Sequence, residues 1–247
     1  MTGSDITKIP TFFVLVGLVQ GAILLTTDYC AGIVFHPDLV PGIILLVHVV
    51  LNRGRQLCGL AGTFDAIAAK KQGAQDAETQ TRPLRLSHSV TGPAGVTAIV
   101  FALGLKYLSL LNLTHFLPFT YYSSLILLPV IPKWTIVISM FYGKPAVQDG
   151  MERSFLHRKG VKKTAISTLI LVLLFILPGL LFRDSMPGNQ HIFFAALLIT
   201  LYGLCRVLAH YFHAHLGGHR GDTLGATGEI AEMSFLFMVI IWSRLSI

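Results

Sequence analysis

The chain has 247 residues, of which 53% are hydrophobic and only 13% charged, and its mean hydropathy is +0.67. That balance excludes a water-soluble fold and predicts one integral membrane domain over residues 1–247. The formal charge of +7 would also suit a nucleic-acid binder, but no basic patch interleaved with aromatics supports that partner, so the charge is read through its distribution between loops.

Taken in chain order, Thr11–Thr26 is the first apolar stretch near the ~20 residues that cross a bilayer. The residues before it lack a basic region and a cleavage site, so it reads as an anchor rather than a signal peptide. Leu39–Asn52 is a short span with Pro41 near its start. A polar loop follows over about 53–92, in which Lys70–Arg82 reads as a mobile excursion. Gly95–Leu113 is the next span. Phe116–Tyr142, broken by Pro118, Pro129, Pro132 and Lys133, is one kinked span or a span plus a re-entrant piece. After a second loop at about 143–163 come Ala165–Phe182 and His191–Phe212, then a third loop at about 213–227, then Ile230–Ile247. The predicted fold class is all-α, a polytopic transmembrane helical bundle of about seven spans, with six or eight allowed. All three long loops are basic, while the opposite connections hold only Arg183. The positive-inside rule therefore places those loops and the amino end in the cytoplasm, with the carboxyl end outside. Cys30, Cys58 and Cys205 are odd in number and far apart, so no disulfide framework is implied.

Chemistry concentrates in the third loop. A helix starting near Asp222 keeps Asp222, Glu229 and Glu232 within about 80° of one face. Three acids on one stripe suit a divalent cation or a polar substrate, and the competing reading is a helix whose acids complement its N-terminal dipole. An apolar segment follows, and ionisable groups beside a membrane are costly enough to suggest function. Gly217, Gly218, Gly221 and Gly225 permit close backbone approach, and Arg220 offers a guanidinium fork to phosphate. Small residues also serve ordinary helix packing. His210, His213, His215 and His219 suit a metal or small-molecule transporter, or are interfacial histidines where a span leaves the bilayer.

The run GGHRGDTLGATGEIAE resembles the C-terminal signature GGxTGDxxGAxxExxE of the cobalamin synthase family, the adenosylcobinamide-GDP ribazoletransferases, with Arg220 in place of the usual Thr. PTFFVLVGLVQG resembles the family's FFPLVG, and LSHSVTGPAGV resembles KDSxxGxxGV with Ser89, Gly92 and Gly95 in register. MFYGKPAVQDGM is similar to YARPxGLG, so the resemblance runs from about Pro10 to Leu236. The acidic signature GGLHLDGLADTxDG of the first loop is matched by GRQLCGLAGTFDA, where Gln56, Cys58, Gly62 and Ala66 replace His, Asp, Asp and Gly, and Asp65 remains. His88 stands where the family has a further Asp.

The resemblance implies cobalamin biosynthesis in the cell inner membrane: adenosylcobinamide phosphate passes from adenosylcobinamide-GDP to α-ribazole, or its phosphate, with release of GMP. It implies Mg2+ on Asp65, Asp222, Glu229 and Glu232, with Asp65 and Asp222 catalytic. Gly218, Arg220, Gly221, Lys144 and Ser89 then contact substrate. It is compatible with a homo-oligomer or a complex with other enzymes of the pathway. The missing carboxylates weaken such a metal site, because Gln56, Cys58 and Gly62 supply no hard anionic oxygen. A non-catalytic corrinoid- or nucleotide-binding paralogue, partner to a complete synthase, is the alternative.

Overall fold

The computed structural model describes residues 9–71, 91–143, 161–181 and 190–245. They form eight helices: α1 (Ile9–Val34), α2 (Val40–Leu51), α3 (Arg55–Lys71), α4 (Pro93–Leu113), α5 (Pro118–Tyr142), α6 (Val161–Leu181), α7 (Gln190–Leu216) and α8 (Gly221–Leu245). Proline supports three of the starts, since Pro41, Pro93 and Pro118 stand in first turns where no helical N–H partner is needed. By length and hydropathy α1, α4, α5, α7 and α8 are each able to cross a bilayer, so the protein is a multi-pass membrane protein.

Two expectations change. The short span predicted at Leu39–Asn52 is the 12-residue α2, which at ~18 Å falls short of a hydrocarbon core of ~30 Å. It pairs instead with α3 across an 83° bend, as a broken span or re-entrant unit. Much of the loop predicted at 53–92 is therefore helical. The bend is built at Arg53 and Gly54, both at positive φ, with Arg53 N–H donating to Val50 O and Gly54 N–H to Val49 O. Such bonds close the end of a helix and let the chain turn sharply. Pro118–Tyr142 is a single helix that keeps Pro129 and Pro132 inside it, the one-span form of that expectation, and α8 starts at Gly221, beside the start near Asp222 that the acidic stripe requires and ahead of the apolar stretch from Ile230. With the bent pair as a sixth crossing and the 21-residue α6 as a seventh, the expected count is reached.

α5 is the axis of the bundle. Of its apolar stretch 72% is buried, against 28% for α1 and α7, and α1, α6, α7 and α8 all pack on it. Gly17 and Gly21 bring α1 onto α5 so tightly that a Cβ at Gly21 would lie 2.5 Å from Ile126 O. Spacing of this kind lets membrane helices approach backbone to backbone. Trp134 Nε1 donates to Thr168 Oγ1 at 3.1 Å, tying α6 to the same axis. At the other end Tyr121 donates to Asp28 at 2.6 Å. The second contact surface runs from α8 to α3 and on to α4, and it carries the polar residues.

Candidate functional site

α3 crosses α8 glycine on glycine. A Cβ on Gly59 would stand 2.6 Å from Asp222 O and 2.9 Å from Gly225 Cα, and a Cβ on Gly225 would stand 3.1 Å from Arg55 O. This approach lays the Asp222 side chain over Gly62, whose Cβ would be 3.2 Å from Asp222 Oδ2. Asp65 lies one turn further along α3. Its carboxylate accepts N–H bonds from Gly92 (2.8 Å) and Gly95 (2.7 Å), capping the first turn of α4 from a neighbouring helix. The glycines are needed here, because a Cβ at Gly95 would lie 2.5 Å from Asp65 Oδ2.

Glu229 and Glu232 lie on the same stripe of α8 but ~10 Å or more deeper, two turns beyond Asp222. Lys106 of α4 meets them there. Its ammonium bonds Glu229 Oε2 and lies 2.9 Å from Glu232 Oε1, while His48 Nε2 of α2 lies 3.1 Å from Glu232 Oε1. The side chains of Lys106, Glu229, Glu232 and His48 are all at most 4% exposed. Next to this cluster, Lys133 of α5 donates to Asn52 Oδ1 and Gln20 Nε2 reaches the same oxygen at 3.4 Å. Helices α1, α2, α4, α5 and α8 are thus joined by one polar core. The stripe of acids expected from the sequence is real, yet it serves two places at different depths. Lys106 and His48 were not singled out from the sequence, although a lone Lys inside an apolar span is itself a signal that a buried anion awaits it.

The turn into α8 uses Gly217 (φ 75°) and Gly218 (φ 138°), backbone that side-chain-bearing residues rarely adopt. Gly218 N–H closes the turn on Phe212 O, and Thr223 Oγ1 accepts from Arg220 N–H at 2.8 Å. Arg220 is half-buried, and its Nε has no hydrogen-bond partner. His219 is 1% exposed, edge-on to Phe212 and packed on Gly143. Burial, helped by the charge of His213, lowers its pKa from 6.5 to about 4. The unfolded chain takes a proton near pH 6.5 and the folded one only near 4, so the unfolded state binds more protons between them. Stability is therefore full above about pH 6.5 and falls by up to about 3 kcal/mol on acidification to about 4. Thermal unfolding of wild type and His219→Gln in detergent checks this, the variant lacking that part of the acid sensitivity.

Of the remaining residues assigned from the sequence, Ser89 and Lys144 lie outside the described residues. Gln56 is buried with neither amide atom partnered, Cys58 is exposed, and Gly62 makes room for Asp222. His210, His213 and His215 are exposed while His219 is buried, and His215 stacks on Tyr211. Mg2+ asks for near-octahedral oxygen ligands. Both Asp65 oxygens accept amide protons and the two glutamates hold an ammonium. Among the described residues no three His, Cys, Asp or Glu side chains gather as a metal-holding group. The four carboxylates assigned to Mg2+ therefore do not fit one magnesium ion in this arrangement.

The family described as Cobalamin-5-phosphate synthase matches residues 1–240, nearly the whole bundle and every element of the site. This chain belongs to that family. An adenosylcobinamide-GDP ribazoletransferase from a Thermoanaerobacter species is 31% identical over 240 residues, covering 96% of this chain and 88% of the relative. One from Thermodesulfovibrio yellowstonii is 28% identical over 238 residues, covering 95% and 86%. One from Thermoanaerobacter pseudethanolicus is 30% identical over 236 residues, covering 94% and 86%. No solved structure matches the chain. As a cobalamin-5-phosphate synthase family member, it contributes α3, the first turns of α4 and α8, and the turn between α7 and α8 to one end of the bundle.

Proposed function

We propose that this chain performs the reaction for which its relatives are named, passing adenosylcobinamide phosphate from adenosylcobinamide-GDP to α-ribazole or its phosphate. The observation that carries the reading is similarity over the full bundle to relatives so named. The reaction belongs at the α3 end. A ribose hydroxyl oxygen attacks the cobinamide-side phosphorus, the bond from that phosphorus to the bridging oxygen breaks, and GMP leaves with the bridging oxygen and its electron pair. The hydroxyl proton passes to Asp222, the acid laid across Gly62. Arg220 and the backbone at Gly218 and Gly221 hold phosphate, a role supported by the unpartnered Arg220 Nε and the adjoining helix N-terminus. With the basic loops inside, this end and the amino terminus face the cytoplasm of the cell inner membrane, and lipid covers the apolar flanks.

Purified protein in lipid is given adenosylcobinamide-GDP and α-ribazole, and GMP is measured. Turnover is expected in wild type and a loss of about a hundredfold or more in Asp222→Ala; equal rates, or none in either, would refute the catalytic reading. The second reading, binding without turnover, is favoured by one observation: Asp65, Glu229 and Glu232 each have carboxylate oxygen already engaged by groups of the protein itself. It expects the labelled corrinoid nucleotide to bind with no GMP formed.

A further inference from the structure

We infer that the Lys106 ammonium is the resident cation of the Glu229/Glu232 pair, and that it keeps divalent ions off these carboxylates. Two acids on successive turns of one helix, buried together and facing the same point, would by their chemistry make a cation site. Here that point is filled from α4. The ammonium touches one oxygen of each acid, and His48 Nε2 approaches Glu232 from α2, within 3.2 Å of both its oxygens. A positive group tethered to the fold never dissociates into bulk solvent, so it outcompetes a free ion present at millimolar concentration. Nor can a doubly charged ion enter beside it, because two cations would share the same two carboxylates in a buried, low-dielectric place. The pair is thus a closed internal salt bridge that joins α2, α4 and α8. Any divalent ion the protein binds must be held by other residues. The inference does not depend on the proposed reaction, since it concerns ion occupancy alone.

The experiment uses full-length protein in lipid nanodiscs and Mn2+ as the probe, counted by electron paramagnetic resonance and by the shift it produces in thermal unfolding. Wild type and Glu229→Gln are expected to bind the same number of Mn2+ ions with the same affinity. Lys106→Ala is expected to gain one Mn2+ site and a Mn2+-dependent rise in Tm, both absent in the double variant Lys106→Ala, Glu229→Gln. Loss of a wild-type Mn2+ site in Glu229→Gln would overturn the inference, as would a folded Lys106→Ala that gains none. If Lys106→Ala cannot be kept folded, Lys106→Met is read in its place. The comparison of wild type with Glu229→Gln stands alone in either case, because Lys106 there keeps Glu232 as its partner.

Discussion

Lys106→Met is expected to destabilise the protein by about 3–5 kcal/mol, because it leaves two buried carboxylates without their counter-ion. Adding Glu229→Gln should restore more than half of that loss, since one buried carboxylate then remains instead of two, and it keeps its contact with His48 Nε2. Neutralising a buried pair together is generally far milder than removing one partner from it. The measurement is thermal or chemical unfolding of the single and double variants in one detergent. A single variant as stable as wild type would mean that Lys106 and the glutamates do not interact as an ion pair. The outcome also bears on shape, because the cluster fastens α2, which is too short to be held by the bilayer alone.

Gly59→Leu is the second large effect. No side chain fits between α3 and α8 at this crossing, where even a Cβ meets Asp222 O at 2.6 Å and backbone cannot give way as a flexible side chain does. Overpacking of this sort costs about 1–3 kcal/mol. The functional loss should be larger than the structural one, because wedging the helices apart lifts Asp222 from its place over Gly62. A displacement of about 1 Å in a reacting group costs about a hundredfold in rate. GMP release by Gly59→Leu is therefore expected to fall by that order while the protein still purifies as a folded species. Gly104→Leu, where a Cβ would meet nothing within 4 Å, is the control and should keep its rate.

How much of this was legible in the sequence differs by element. The cores of α1, α4, α7 and α8 stand out because each is an apolar run long enough to cross, and α5 was placed correctly despite its prolines, which a membrane helix tolerates when neighbours pack against it. α3 was read as part of a loop because the stretch is polar and basic and carries no apolar run long enough to cross. In the structure Gly59 marks where the backbone of α8 passes, and Gly62 where the Asp222 side chain lies. The motif acids were visible, but not their fates. Whether Asp65 faces solvent or caps a helix depends on the first turn of α4, 27 and 30 residues away. No local pattern joins Lys106 to Glu229, since the pairing exists only after α4 and α8 have packed.

That pairing also bears on how the protein is made. His48 and Lys106 emerge from the ribosome well before the acids that receive them, with 184 residues separating His48 from Glu232 and 123 separating Lys106 from Glu229. Until the last helix arrives, α4 carries an uncompensated ammonium in its buried face and α2 has nothing to hold it at depth. α8 therefore brings the counter-ions on which the packing of α2 and α4 depends, and acts as the latch that completes the polar core.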